Sequence, residues 1–299
     1  MKNPLLSIII PSHDSEKTIG LCVRSISKQS FPREMFEIIV VDDGSTDNTV
    51  QIAIEAGADQ IIKTNPCSTG KARNLGVEKS KGVMIAFIDS DCKAKEGWLK
   101  TIINELKTSD VVTGPVENGN PHSNVAWAEY FIEFGGYDKY QKKSYVRLFP
   151  GCNGALTREA FSKSGGFVDA RFAEDVMFGE SLKQAGIKVL FDPRIRIEHL
   201  CRTDLDKVKA NMKKLGGFFV KTRRSSPSIP YSFLTKSRWL VPIIFIGKIS
   251  LSIKYALMAR KFCKFLLVFP YVVAGITAFC KGIWEELGNQ LDDIPRLQL

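Results

Sequence analysis

The sequence predicts an α/β fold: a mostly parallel sheet with helices on both faces, followed by C-terminal hydrophobic helices. Three observations lead there. Short β-branched apolar runs alternate with segments of helical periodicity over the first 200 residues. Several of these runs stop at a Pro or at carboxylates, as strands do where they meet ligand-binding loops. Two long apolar stretches, 239–258 and 265–280, close the chain.

The elements follow in order. LLSIIIP at 5–11 is a buried strand ending at Pro11. In 15–30, Ile19, Cys22, Val23 and Ile26 share one helical face, with Ser15 as a candidate cap. FEIIVVDDGS at 36–45 is a second strand breaking into an Asp-Gly turn, with Asp47 placed to cap the helix 49–58 that closes at Gly57. DQIIKT at 59–64 is a short strand and 68–82 a helix. VMIAFIDSD at 83–91 is a strand whose apolar run stops at Asp89 and Asp91, and 97–106 is the next helix. RIRIEH alternates up to His199.

Composition narrows the class of protein. The chain has 299 residues, 44% hydrophobic and 25% charged, which suits a folded protein with a sizeable core. Its seven Cys are scattered without a CxxC pair, so a disulfide framework or zinc site is not expected and a reducing compartment is. The N-terminal apolar run is too short, and too soon ended by Pro11, for a signal peptide. The net charge of +10 is unevenly placed: residues 1–200 hold 25 Lys+Arg and 26 Asp+Glu, whereas 201–299 hold 17 and 6. Within 201–264 the balance is 15 to 2. A neutral domain followed by a basic, then apolar, tail points to an anionic membrane surface and not to nucleic acid. Whether the two stretches span the bilayer or lie in its plane stays open. A spanning hairpin would put Arg260, Lys261 and Lys264 on the far side, against the positive-inside tendency. The expected division is an α/β domain at 1–205, a basic linker or amphipathic helix at 206–237 and a membrane-associated segment at 238–299.

Chemistry is concentrated at the strand ends. Adjacent Asp42 and Asp43 enter a Gly turn and can accept hydrogen bonds from a base or ribose, though an ordinary Asp-Gly turn reads the same way. Asp89 and Asp91 flank one residue, a spacing that can hold Mg²⁺ or Mn²⁺. Glu174 and Asp175 can serve as a base or simply stabilise a helix start.

Taken together, SIIIPSHDSEKTI at 7–19, VDDGSTDNT at 41–49, GKARNLG at 70–76, FIDSDC at 87–92, GWL at 97–99, GCNGALTREAF at 151–161, the stretch 164–193 with FAEDVMFGE, and EH at 198–199 resemble the inverting, GT-A-fold glycosyltransferases of family 2. The pieces run in family order over about the first 200 residues. The resemblance implies a nucleotide-sugar donor with a divalent metal, Mn²⁺ or Mg²⁺. It implies that Pro11, His13, Asp42, Asp43, Arg73 and Asp89 lie against the nucleotide. Asp91, Asp89 and His199 would hold the metal, Asp175 would be the catalytic base, and Asn153, Gly154 and Glu174 would meet donor sugar or acceptor. The Gln-x-x-Arg-Trp of processive members has no counterpart in 213–226, which favours transfer of a single sugar. With the basic tail, the expectation is a cell-envelope glycan enzyme at the cytoplasmic face of the cell membrane, acting on a lipid or lipid-linked saccharide, with no nucleic-acid partner. The rival readings are a nucleotidyltransferase and a membrane-tethered nucleotide-sugar-binding scaffold without turnover.

Overall fold

The computed structural model describes residues 3–170 and 173–289. Arg171 and Phe172 of the stretch before Glu174, and residues 290–299 of the third expected segment, lie outside the described residues. The chain forms two compact units, Met1–Gly119 with Lys139–Leu200, and Asn120–Asp138 with Cys201–Leu299.

In chain order the elements are β1 (Leu6–Ser12), α1 (Ile19–Ser27), β2 (Phe36–Asp42), α2 (Thr49–Ala56), β3 (Gln60–Lys63), α3 (Thr69–Lys79), β4 (Met84–Ile88) and β5 (Cys92–Ala94). Then come α4 (Trp98–Glu105), β6 (Val111–Thr113), β7 (Val116–Asn118), α5 (Asn124–Glu133), β8 (Ser144–Val146), β9 (Asn153–Thr157) and α6 (Arg158–Ser164). The last are α7 (Glu174–Gln184), β10 (Val189–Phe191), β11 (Ile197–His199), α8 (Leu205–Ser225), α9 (Val241–Met258) and α10 (Phe262–Glu286).

The first unit is built on an eight-stranded sheet, order β3-β2-β1-β4-β9-β6-β10-β8, with helices on both faces. The half that begins the chain is parallel, as the alternating pattern predicts. The other half is mixed, because β9 runs antiparallel to both β4 and β6. A three-stranded sheet, β5-β11-β7, carries Cys92 opposite His199. The β1/β2 register sets Pro11 beside Val41 and Ser12 beside Asp42, and β4 ends at Ile88 just before Asp89. Three acidic or polar loops therefore leave the same, carboxyl end of adjacent strands. Helix α1 starts at Ile19, not at Ser15. The Ser15 carbonyl accepts from Thr18 and Ile19 N–H at 2.9 Å, so it is the main chain that terminates the helix.

The second unit is helical and takes in a segment, 120–138, that the sequence alone assigns to the first domain. The reason is apolar: Phe131 and Ile132 of α5 pack with Val208 and Met212 of α8 and with Phe265 and Ile276 of α10. Phe131 and Phe265 meet edge to face at 5.5 Å. Asp204 caps α8 by accepting from Asp206 and Lys207 N–H at 2.8 and 3.2 Å. Helices α8 and α10 approach backbone to backbone. A Cβ on Gly216 would lie 2.0 Å from the Phe279 carbonyl oxygen, and one on Gly282 1.9 Å from that of Lys213.

Candidate active site

The loops after β1 and β2 are laced together. Asp43 N–H donates to the Ser12 carbonyl at 2.8 Å, and His13 Nδ1 sits 2.8 Å from the Asp43 carbonyl. Asp14 Oδ1 accepts from Thr46 N–H at 2.8 Å, and Asp47 Oδ2 from Glu16 N–H at 3.1 Å. Gly44, at φ +73°, makes the turn that a side chain would strain. Asp43 Oδ1 accepts from Cys67 N–H, while the carboxylate of the buried Asp42 makes a long contact, 3.4 Å from Ser45 N–H. Ser15 Oγ joins Ser90 Oγ at 2.9 Å, tying these loops to the one after β4. Asp47 also accepts from Thr49 N–H at 2.9 Å, but the cap position of α2 falls to Asn48, so Asp47 braces the turn before the helix instead of capping it.

At the centre lies Arg73 on α3. Its guanidinium is buried and forked: Nη1 to Glu174 at 2.6 Å, Nη2 to Asp89 at 2.8 Å, with its carbon 5.2 Å from the centre of the Phe167 ring. Among the described residues its Nε has no partner. A Cβ on Gly151 would come within 2.7 Å of Nη2, so the glycine there is the condition for the fork. Arg73 thus bridges Glu174 and Asp89, two residues that the sequence expectation also set against the donor. Glu174, expected at donor sugar or acceptor, is likewise engaged by Arg73. Burial pushes its carboxyl up to about 7 against the pull of that guanidinium. Asp175, one step along α7, is also raised, chiefly by burial, with Arg73 and its own bond from Val176 N–H at 2.7 Å opposing. Ala173, immediately before α7, sits at φ +60°, a left-handed conformation that costs a residue with a Cβ.

Asp91 and His199 form a second cluster. Asp91 Oδ1 lies 3.5 Å from His199 Nε2, and the Asp91 carbonyl accepts from Leu200 N–H at 2.8 Å. Cys92 Sγ joins them, all three donor atoms lying within 4.8 Å of one another. Burial holds the Cys92 thiol well above its usual pKa, with Asp91 and Asp89 adding to the rise. A carboxylate and an imidazole at this spacing suit a divalent ion that accepts mixed O and N donors. Asp89 offers less, since its Oδ1 is taken by Arg73.

Two expected residues have other work. Asn153 is fully buried; its Oδ1 accepts from Trp98 Nε1 at 2.9 Å, and its Nδ2 donates to the carbonyls of Pro115 and Ile195 at 3.0 and 2.9 Å. It joins β9 to its neighbours and has no donor left for a sugar. Gly154 leaves room for Phe149, whose ring a Cβ would meet at 2.2 Å. The Ser15–Ser90 link and Cys92 escape sequence reasoning. Only adjacency to Asp89 and Asp91 hints at Ser90 and Cys92.

Residues 7–165 match the family model described as glycosyl transferase family 2. The chain belongs to that family. Among curated relatives it is 31% identical to the glycosyltransferase AglE of Haloferax volcanii over 134 residues, 42% of this chain and 44% of AglE. It is 38% identical to the glucosyltransferase WfgD of Escherichia coli over 163 residues, 52% of this chain and 60% of WfgD. The chain therefore spans about half the length of these relatives. Among solved structures, the mannosyltransferase PcManGT of Pyrobaculum calidifontis superposes with a TM-score of 0.63 at 19% identity, covering 96% of this chain and 89% of that one. The 1–349 portion of Staphylococcus aureus TarS superposes at 0.53 and 18%, covering 94% and 90%. These likenesses fix the fold as GT-A-like. In a family 2 glycosyltransferase the two clusters described above lie where this fold gathers its strand-end loops.

Proposed function

We propose that the protein is a metal-dependent inverting glycosyltransferase that moves one sugar from a nucleotide-diphosphate donor, a UDP-sugar, to a hydroxyl of a lipid or lipid-linked saccharide at the cytoplasmic membrane face. The observation that carries this is the pairing of two carboxylate clusters: Asp91 with His199, and Asp175 beside the Arg73–Glu174–Asp89 fork. Asp42 and Asp43, in the loop that His13 borders, accept hydrogen bonds from base and ribose, and Pro11 stands beside Val41 in the strand register that leads into that loop. Asp91 and His199 would hold the divalent ion, which when bound offsets charge on the departing diphosphate. Asp175 takes the proton from the acceptor hydroxyl as its oxygen attacks the anomeric carbon opposite the diphosphate. The bond from that carbon to the phosphate oxygen breaks and the configuration inverts. A carboxylate raised toward neutrality is a better base for a hydroxyl than an ordinary Asp. Arg73, by gripping Glu174, pins the start of α7 and so sets where Asp175 stands.

The names of relatives support the substrate class. WfgD is described as a UDP-Glc:α-D-GlcNAc-diphosphoundecaprenol β-1,3-glucosyltransferase, and TarS as a poly(ribitol-phosphate) β-N-acetylglucosaminyltransferase. PcManGT was solved with GDP-Man and Mn²⁺. Two helices, Arg238–Met258 and Phe262–Glu286, are long and apolar enough to cross a membrane, which gives weak support to a membrane location. The test is a donor screen. Full-length protein is incubated with UDP- and GDP-sugars, Mn²⁺ or Mg²⁺, and an extract of membrane lipids, and sugar entering the lipid phase is counted. Transfer that needs both lipid and metal is expected. No transfer from any donor contradicts the proposal.

A further inference from the structure

We infer that the helical unit docks on a single leaflet of an anionic bilayer, with α9 and the first half of α10 lying in the interface, and does not span it. The inference rests on the membrane reading above and decides its geometry.

The exposed face is large and apolar. Trp239 is 85% exposed, Leu267 61%, and Ile243, Ile246, Leu257 and Leu266 are each more than half exposed. Both helices are long enough to cross hydrocarbon, but their outward faces are not apolar for that length. On α10 the exposed side is apolar from Phe262 to Pro270, about 13 Å of helix. It then presents Thr277, Lys281, Trp284 and Glu285, a polar stretch broken by one aromatic of the interfacial type. A spanning helix needs about 20 residues facing lipid. The second half of α10 is moreover locked to α8 through Gly216 and Gly282. That helix exposes Lys213, Lys214 and Lys221, and Lys213 pairs with Glu285 at 2.8 Å. Threading α10 across a bilayer would drag this charged helix into hydrocarbon. An in-plane helix with one apolar side avoids that.

Charge selects the occupant. Lys254, Arg260 and Lys261 are exposed on the same stretch, and the sequence from 207 to 284 contains no acidic residue. A second copy seated face to face would bring these cations together with no carboxylate on the face to pair them. Anionic phospholipid headgroups pair them directly, and Trp239 is the residue type that favours the interface.

Full-length protein is floated with phosphatidylcholine vesicles and with vesicles containing phosphatidylglycerol. The exposed Cys263, in the first turn of α10, is then labelled with a membrane-impermeant maleimide before and after the vesicles are opened, and read by peptide mass. Flotation is expected with phosphatidylglycerol vesicles only, and Cys263 labelling is expected to be equal before and after opening. Each charge reversal, Lys254→Glu or Lys261→Glu, weakens flotation about fivefold. Leu266→Glu with Leu267→Glu abolishes flotation while the monomer stays folded by circular dichroism. Flotation with Cys263 labelled only after opening overturns single-leaflet docking while leaving the membrane reading standing. No flotation with either vesicle, or a stable oligomer formed through this face, overturns both.

Discussion

The two units break the rule of apolar inside and polar outside in opposite directions. The sheet unit buries ionisable groups: Arg73, Glu174 and His199 lie inside it beside partly exposed Asp89 and Asp91. The helical unit exposes apolar surface, from Trp239 to Leu267. Buried charge is tolerated only where partners are fixed, so the first exception makes a rigid, pre-organised site. Exposed apolar surface marks a binding face, so the second makes an attachment. On the proposed reading, catalysis and address are written in separate parts of this chain, and that can be tested by breaking each alone.

The largest structural effect is expected from Arg73→Leu. It leaves Glu174 and Asp89 without their shared cation, at a cost of about 3–5 kcal/mol in stability by chemical denaturation. Arg73→Lys, which cannot span both carboxylates as a fork, should restore only part of it. Equal stability of all three proteins would remove the fork from the account.

In the helical unit the paired test is two alanines. Gly282→Ala meets the Lys213 carbonyl and is expected to cost about 1–3 kcal/mol. Gly247→Ala on α9, whose Cβ meets nothing within 4 Å among the described residues, should gain about 0.5–1 kcal/mol. Thermal unfolding of the two variants should therefore move in opposite directions.

A smaller effect concerns pH. A protonated Asp175 cannot accept a proton, so turnover should rise with pH through its raised pKa. Asp89→Asn removes a negative charge that helps to raise Asp175, lowers the pKa of Asp175 and moves the acid limb of the kcat profile to lower pH. An unmoved limb would mean that the limb reports another group. The smallest effect belongs to salt. Raising ionic strength should weaken vesicle binding and leave transfer to a soluble acceptor nearly unchanged.

Much of this was legible in the sequence. Periodicity located β1, β2, β4 and helices α1 to α4, because each is a short element whose pattern is local. The antiparallel insertion of β9 and the placement of α5 in the helical unit were not, since both depend on distant partners such as Phe265. The acids at the strand ends were visible as residues but not as roles. The sequence sets Arg73 against the nucleotide, and only the fold reveals that its guanidinium meets Glu174 one hundred and one positions away. Asn153 reads as a site residue because its neighbours Gly151 and Gly154 do, yet Trp98 and two carbonyls consume its amide.

The most direct test of the central claim is Asp175→Asn in the lipid-extract transfer assay, run beside titration of the same variant with the donor's nucleoside diphosphate and Mn²⁺. The account predicts nucleotide affinity close to that of the unaltered protein, with kcat for sugar transfer lower by about 10²- to 10⁴-fold. Transfer at the unaltered rate with Asn at this position would contradict it.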